Sequence, residues 1–226
     1  MAGRRRKKKR NRYRKHIIIW VLLLLVAAYF CDDKLQQTLH KTPSEADWEL
    51  IVVNKWNTIP DGYQTELTTL SNGKQIASRI YPALQDLFDA MRADGIYPIV
   101  REGYRTTTDQ QSILDDKIKA YEQEGLSSLL AKKMASEWVA APGTSEHQLG
   151  IAVDINADKT KSTNDEVYAW LAEHAWEYGF ILRYPKNKES ITGTGYEPWH
   201  YRYVGKEAAK KIQQEGCCLE EYVTQN

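Results

Sequence analysis

Hydrophobic and polar positions alternate along most of the chain in a way that predicts one mixed domain. Short segments rich in β-branched and aromatic residues are typical of strands, and they occur at residues 50–53, 97–101, 151–155, 180–183 and 199–204. Longer segments with apolar residues at helical spacing are typical of helices, and they occur at residues 82–94, 108–124, 126–139, 164–178 and 206–215. This order predicts an α+β fold with a small, mainly antiparallel sheet flanked by helices.

Residues near the ends of the predicted helices support these boundaries. Pro82 suits a first helical turn, and Gly95 and Gly125 suit positions just past a helix end. Thr163 and Glu166 have the three-residue spacing of a capping box. We therefore expect helices to begin near residues 82 and 164 and to end near residues 94 and 124.

The N-terminal part of the chain has a different pattern. Residues 4–15 contain ten Lys or Arg and no acid, and residues 17–30 form an unbroken apolar run. Fourteen helical residues span about 21 Å, short of a hydrocarbon core of ~30 Å, which suits a short membrane anchor or a signal-peptide core. Because the apolar run follows the basic run directly, we expect contact with a membrane and no nucleic-acid binding.

These patterns predict four parts of the chain. Residues 1–16 are a basic cytoplasmic segment, residues 17–31 a membrane anchor or signal core, residues 32–48 a stalk, and residues 49–226 a domain beyond the membrane. We favour an uncleaved single-pass anchor, whereas cleavage would yield a secreted domain. The chain has a net charge of +1 and its first sixteen residues carry +10, so the remainder carries −9. Such a domain is not attracted to anionic polymers in general.

Several other polar residues have structural explanations. The adjacent acidic residues at 115–116 and 220–221 are typical of solvated faces. His174 lies at helical spacing from Leu171, which predicts a histidine at the edge of the core. Three cysteines are too few for a disulfide framework, and their redox state stays open.

Two separated segments carry residues that suit metal chemistry. His147 and Asp154 lie in the segment at 145–154, and His200 follows in the segment at 197–203. A catalytic zinc site needs three protein ligands and an open position for water, and Glu197 offers a base beside the last ligand. Pro198 excludes a helical Glu-x-x-His arrangement. Since isolated histidines are also common in protein cores, the spacing alone leaves a zinc site and ordinary core packing equally open.

The two segments together resemble a known family. The pattern Ser-x-His-x-x-Gly-x-Ala-x-Asp, followed by Glu-Pro-Trp-His-x-Arg-Tyr-Val, is similar to that of VanY-type D-alanyl-D-alanine carboxypeptidases. Further similarity lies at residues 50–55, at residues 103–106 with Gln110, and at residues 179–185. The resemblance covers most of the chain after residue 50 and implies the fold shared by D-Ala-D-Ala peptidases and Hedgehog-like domains.

The resemblance implies roles for individual residues. The Zn²⁺ ligands would be His147, Asp154 and His200. Glu197 would be the general base and later the acid, and Arg105 would face the scissile carbonyl oxygen. The residues expected to contact substrate are Ser145, Gln110, Tyr104 and Trp199. Gln110 equally suits a helix cap with Thr107. Glu102 and Thr106 depart from the serines common in the family, which leaves fine substrate preference open.

The implied function is zinc-dependent D,D-carboxypeptidase activity. The enzyme would hydrolyse the terminal D-Ala-D-Ala bond of peptidoglycan stem peptides outside the bacterial cytoplasmic membrane, in cell-wall remodelling. Alternatives are an L,D-carboxypeptidase acting on tetrapeptide stems, an endopeptidase, and a non-catalytic wall-binding module with a structural zinc. Glu197 argues against the module, because a structural site has no use for a base beside its metal.

Overall fold

The computed structural model describes residues 45–225. The predicted basic segment, the predicted membrane segment and most of the predicted stalk therefore lie outside the described residues. A 3-10 helix at Glu45–Leu50 opens the described chain, where the end of the stalk was predicted. Within residues 45–225, no helix combines the length and the apolar character needed to cross a membrane.

Strands and helices alternate through the described chain. The strands are β1 (Leu67–Thr69), β2 (Gln75–Ala77), β3 (Pro98–Glu102), β4 (Ala152–Ala157), β5 (Phe180–Leu182) and β6 (His200–Tyr203). The helices are α1 (Tyr81–Ala93), α2 (Thr107–Gln123), α3 (Ser128–Ala135), α4 (Asn164–His174), α5 (Glu189–Thr192), α6 (Lys206–Glu215) and α7 (Leu219–Gln225). Short 3-10 segments precede β4 and β5, at Glu146–Leu149 and Ala175–Tyr178.

The main sheet is small and antiparallel, as predicted. Its strand order is β3-β4-β6-β5, and all three pairings are antiparallel. Strands β1 and β2 form a separate antiparallel hairpin. The fold is therefore a mixed one in which helices accompany a four-stranded antiparallel sheet.

The register of the sheet determines which side chains meet near its centre. In β4, Val153 and Ile155 are fully buried in the core, so Asp154 between them points to the other face. Asp154 lies directly opposite His200 of β6 and opposite Glu102 of β3. The register of β3 shifts between Val100 and Glu102, which indicates a β-bulge. Bulges are common next to active sites because they redirect side chains.

The hydrophobic core packs one face of the sheet against helices. Helix α1 contributes Leu84, Leu87 and Met91, and the strands contribute residues such as Val153 and Ile155. A second cluster lies beneath α6 and α7, with Ala209, Ile212 and Leu219 among its buried members. These contacts fix both neighbours of Asp154 within a rigid scaffold.

Most of the predicted elements are present. Helix α6 has the predicted bounds, and the capping box of Thr163 and Glu166 is formed at the start of α4. The predicted helix at 126–139 ends earlier, at Ala135. The helix predicted at 164–178 changes after His174 into a 3-10 turn. The hairpin β1–β2 and helices α5 and α7 were not predicted.

The predicted strand at residues 50–53 is wrong. Ile51 and Val53 are buried, but they pair with no strand, and only an isolated bridge joins Asn54 to Asn57. The Arg202 guanidinium instead donates to the Ile51 carbonyl at 2.9 Å. An apolar, β-branched segment can thus be buried outside a sheet when a side chain satisfies its carbonyl groups.

Candidate metal centre and active site

Three side chains from different elements converge at the centre of the sheet. His147 comes from the 3-10 turn Glu146–Leu149, Asp154 from β4, and His200 from the first position of β6. Asp154 Oδ1 lies 3.4 Å from His147 Nε2 and 3.0 Å from His200 Nδ1. Their potential ligand atoms all lie within 4.8 Å of one another. Within residues 45–225, the sequence-predicted ligands are therefore brought together as one cluster.

The orientation of His147 fits a metal ligand. Its Nδ1 lies 2.8 Å from the carbonyl oxygen of Gly103, so a proton on Nδ1 leaves the lone pair of Nε2 facing Asp154. Metal-binding histidines usually donate their second nitrogen in this way, which fixes the tautomer. Two imidazole nitrogens and one carboxylate match a catalytic zinc site with three protein ligands. The residues present thus fit the zinc ion that the family resemblance implied.

Gly103 is needed for this orientation because no side chain fits at its position. A Cβ atom placed there would overlap the backbone carbonyl oxygen of Gln75. We therefore expect Gly103→Ala to destabilise the domain by about 1–3 kcal/mol and to weaken metal binding by displacing the carbonyl that holds His147. Thermal unfolding and zinc titration check this expectation. Gly195→Ala is a suitable control because its Cβ would meet nothing within 4 Å, and equal stability of the two variants would contradict the steric argument.

Burial and close charges shift the pKa values of the three ligands. Burial lowers the pKa of His147. Burial also opposes protonation of His200, but the nearby carboxylates of Asp154 and Glu146 outweigh it and raise the pKa of His200 to about 9. The pKa of Asp154 is held well below its usual range because His147 and His200 outweigh the effect of burial. Metal binding at this site therefore competes with protonation of His200.

Glu197 lies at the edge of the cluster. A tight turn brings it there, in which the His200 N–H donates to the Glu197 carbonyl at 3.1 Å. Its Oε2 is 3.8 Å from His200 Nδ1, and its side chain retains 22% exposure. Burial raises the pKa of Glu197, partly opposed by His200. A partly desolvated carboxylate beside the ligands, open to the cleft, suits a group that takes up and releases a proton.

Arg105 is held beside Asp154 of the same cluster. Its Nη1 donates to Gln110 Oε1 at 3.3 Å, and its Nη2 lies 3.7 Å from Asp154 Oδ2. The side chain is 18% exposed, and its Nε makes no hydrogen bond. The β-bulge in β3 precedes this segment and brings it beside Asp154. The guanidinium is thus flanked by Gln110, Asp154 and Glu102, whose Oε2 lies 3.8 Å from its Nε, and it lines the cleft.

A cleft with a volume of about 470 Å³ contains the cluster. Of the residues predicted to contact substrate, Ser145, Gln110 and Trp199 line it. Tyr104 is not among the lining residues, and its contact with substrate stays a prediction. The lining also includes residues that the sequence analysis did not single out, such as Asn54, Lys55, Trp138 and Tyr184.

Gln110 is not a helix cap. The capping box of α2 is formed by Thr106 and Asp109. Gln110 is buried instead, and its amide donates to the Ala140 carbonyl at 2.7 Å while its oxygen accepts from Arg105. It therefore links Arg105 to the segment that forms the wall of the cleft.

A buried network of charges behind the cluster was not predicted. Glu146, Arg183 and Arg202 are almost completely inaccessible to solvent. Glu220 belongs to the same network, because Arg183 contacts both of its carboxylate oxygens at 2.9 and 2.6 Å. The prediction that residues 220–221 form a solvated face is therefore wrong for Glu220. The sequence feature that could have indicated this network is the presence of arginines within segments that are otherwise apolar and aromatic.

Comparisons with known proteins agree with this site. The family model described as VanY, D-alanyl-D-alanine carboxypeptidase, matches residues 73–206. A curated D-alanyl-D-alanine carboxypeptidase of Enterococcus faecalis (strain ATCC 700802 / V583) is 59% identical over 186 residues, which are 82% of this chain and 69% of the relative.

Solved structures extend the comparison to the fold. A Zn(II) complex of a Glu-to-Ala mutant of the vancomycin resistance D,D-pentapeptidase VanY, from a VanB-type resistance cassette, is 61% identical. The match has a TM-score of 0.75 and covers 78% of this chain and 99% of that one. VanYB in complex with D-alanine-D-alanine matches with the same identity and TM-score over 78% and 97%. The LdcB LD-carboxypeptidase is 36% identical, with a TM-score of 0.66 over 79% and 87%.

Proposed function

The chain belongs to the VanY family of D-alanyl-D-alanine carboxypeptidases, and on that basis we propose how its cleft acts. It is a zinc-dependent D,D-carboxypeptidase whose substrates are peptidoglycan stem peptides ending in D-Ala-D-Ala. The observation that carries the proposal is the convergence of His147, Asp154 and His200 within a cleft that also contains Glu197. A non-catalytic module does not account for a desolvated carboxylate beside the ligands.

Each residue of the site has a separate role in the proposed hydrolysis of the peptide bond. His147, Asp154 and His200 would hold the zinc ion, which when bound supplies Lewis-acid activation of water. Glu197 removes a proton from the attacking water and returns it to the leaving amine, for which its raised pKa is suitable. Arg105 lines the cleft beside Asp154 and donates to the oxyanion that forms at the scissile carbonyl. Ser145, Gln110 and Trp199 line the space for the terminal residues.

The role of Arg105 predicts a defect in catalysis more than in folding. We expect Arg105→Ala to lower kcat by roughly 100- to 1000-fold, as loss of one oxyanion donor does. Because Arg105 lines the cleft and is not part of the hydrophobic core, we expect little change in thermal stability. Arg101→Ala is a matched control, because Arg101 is exposed in the adjacent bulge. A large loss of stability in the Arg105 variant, with zinc lost, would show that the arginine is structural.

The bond that is cleaved is tested with defined stem peptides. We expect the zinc-loaded protein to remove one alanine from a pentapeptide stem and to leave the tetrapeptide intact, as measured by mass spectrometry. The similarity to LdcB makes L,D-carboxypeptidase activity the second candidate, and loss of alanine from the tetrapeptide would favour it. If neither peptide changes while zinc is bound, carboxypeptidase activity is excluded and a binding module becomes the better description.

We propose further that residues 17–31 hold the protein in the bacterial cytoplasmic membrane with residues 49–226 on the outer side. Support comes from the sequence, in which ten basic residues precede an apolar run. Expression of the full chain in a bacterial host tests this arrangement. An intact mass in the membrane fraction, with the domain accessible to external protease, is the expected result. A mature protein that lacks its first residues and appears in the medium would indicate a cleaved signal.

A further inference from the structure

Glu146 occupies an unusual position between two buried arginines and a metal ligand. Its carboxylate is fully buried, and its Oε1 accepts from Arg183 Nε at 2.7 Å and from Arg202 Nη1 at 2.8 Å. Its Oε2 accepts no hydrogen bond and lies 3.6 Å from His200 Nε2. Glu146 Oε2 and His200 Nε2 are two of the three buried side-chain polar atoms without a hydrogen-bond partner in the described chain, the third being Arg105 Nε. They face each other.

Both arginines are themselves held in place. Arg202 donates through Nη2 to the carbonyls of Glu49 and Ile51, at 3.0 and 2.9 Å, and through Nε to Tyr203. Arg183 uses its two terminal nitrogens for Glu220. The donors that fix the Glu146 carboxylate are therefore anchored elsewhere, and Oε2 is left in a defined direction.

Stability alone does not explain this arrangement. Burying several charges is costly, and well-packed apolar residues of similar volume are often as stabilising as a buried ion cluster. Metal-binding histidines are commonly oriented by a carboxylate that accepts a hydrogen bond from the ring nitrogen not bound to the metal. Glu146 suits this role, because one of its oxygens is occupied by the arginines and the other faces an imidazole nitrogen. The partner of His147 is a backbone carbonyl at Nδ1, whereas the candidate partner of His200 is a carboxylate at Nε2.

We propose that Glu146 is a positioning residue that accepts the Nε2–H of His200 and thereby presents Nδ1 to the metal. The inference rests on the proposed zinc site and adds to it a residue outside the ligand set. The two imidazoles then bind the ion through opposite nitrogens, His147 through Nε2 and His200 through Nδ1. Closing the 3.6 Å separation to a hydrogen bond requires a movement of less than 1 Å by either group.

Glu146→Gln is a specific test because the arginines dictate the orientation of the new amide. Their donors require the amide oxygen at the position of Oε1, which places the NH₂ group opposite His200 Nε2. The amide then donates to Nε2, the proton of the neutral imidazole moves to Nδ1, and the nitrogen that faces the metal site no longer has a free lone pair for the ion. We expect zinc affinity, measured by chelator competition, to fall by about 10- to 100-fold, with a folded protein by circular dichroism.

Glu220→Gln is the matched control. It removes the same charge from the same network, but Glu220 contacts Arg183 and Asn54 and not His200. We expect it to lower thermal stability and to leave zinc affinity within a few-fold of the unsubstituted protein, because its carboxylate is bound by Arg183 and Asn54 and by none of the three ligands. Equal losses of zinc affinity in the two variants would overturn the proposal. The loss of one negative charge from the network would then explain the weaker zinc binding without any hydrogen bond from His200 to Glu146.

A measurement on the unsubstituted protein keeps the proposal testable if Glu146→Gln fails to fold. Nuclear magnetic resonance of the ¹⁵N-histidine protein loaded with ¹¹³Cd identifies the coordinating nitrogen, with the five histidines assigned by single replacement. The expected result is metal coupling to Nδ1 of His200, a retained Nε2 proton, and coupling to Nε2 of His147. Coordination of His200 through Nε2 would overturn the proposed role of Glu146 but would leave the zinc site itself intact. Absence of metal binding would overturn the zinc site as well.

Discussion

Replacing Glu197 by alanine is expected to abolish most hydrolysis while zinc stays bound. General acid–base groups typically contribute about 100- to 10,000-fold to rate, and Glu197 would act both on the attacking water and on the leaving amine. It is not one of the three clustered ligands, and its Oε2 is 3.8 Å from His200. We therefore expect kcat to fall within or beyond that range, with zinc content near one per chain and little change in KM.

Single-turnover hydrolysis of a pentapeptide stem, measured beside zinc content, tests this expectation. Glu197→Gln is the closest isostere and should be as inactive as the alanine variant, because an amide cannot accept the proton. Glu173→Ala, which removes a side chain with 77% exposure, is the control. Substantial hydrolysis by either Glu197 variant would mean that another group is the base.

His200→Ala is expected to lose both the metal and the activity. Asp154 and His147 alone leave the site with two protein ligands, one fewer than catalytic zinc sites use. The substitution also leaves Glu146 Oε2 without its facing imidazole. We expect no stoichiometric zinc after purification and hydrolysis at the background rate.

Zinc content by elemental analysis and hydrolysis of the same peptide are the two measurements for this variant. His174→Ala is the control, because His174 is partly exposed on α4 and contacts Glu177 away from the cleft. It should retain one zinc and normal activity. Stoichiometric zinc in the His200 variant would remove His200 from the ligand set.

The sequence predicted those parts of the fold that depend on local chemistry. The capping box of Thr163 and Glu166 and the bounds of α6 follow from short-range patterns and are present. The strand predicted at 50–53 failed because burial of Ile51 depends on a side chain from a distant strand, Arg202. Residue patterns report whether a segment is buried, but they do not report which group satisfies its carbonyls.

In the candidate site, too, the sequence indicated some residues, whereas others became evident only from long-range contacts. His147, Asp154 and His200 were identified from residue type and spacing, together with the family resemblance, and the structure brings them together. Glu146 was not singled out, although it directly precedes His147. Its importance depends on two arginines that are 37 and 56 residues away in the chain. Such long-range ion pairs leave only a weak signal in a single sequence.

The direct pairing of Asp154 with His200 across β4 and β6 also affects the lifetime of the folded domain. These ligands are 46 residues apart in the chain, and a slip of one residue between the strands would turn one of them to the opposite face. We therefore expect zinc to bind at this site only after both strands have paired correctly. An ion that binds at that late stage acts mainly on the unfolding rate and hardly on the refolding rate. Scarcity of zinc would then shorten the survival of correctly folded molecules without preventing their formation.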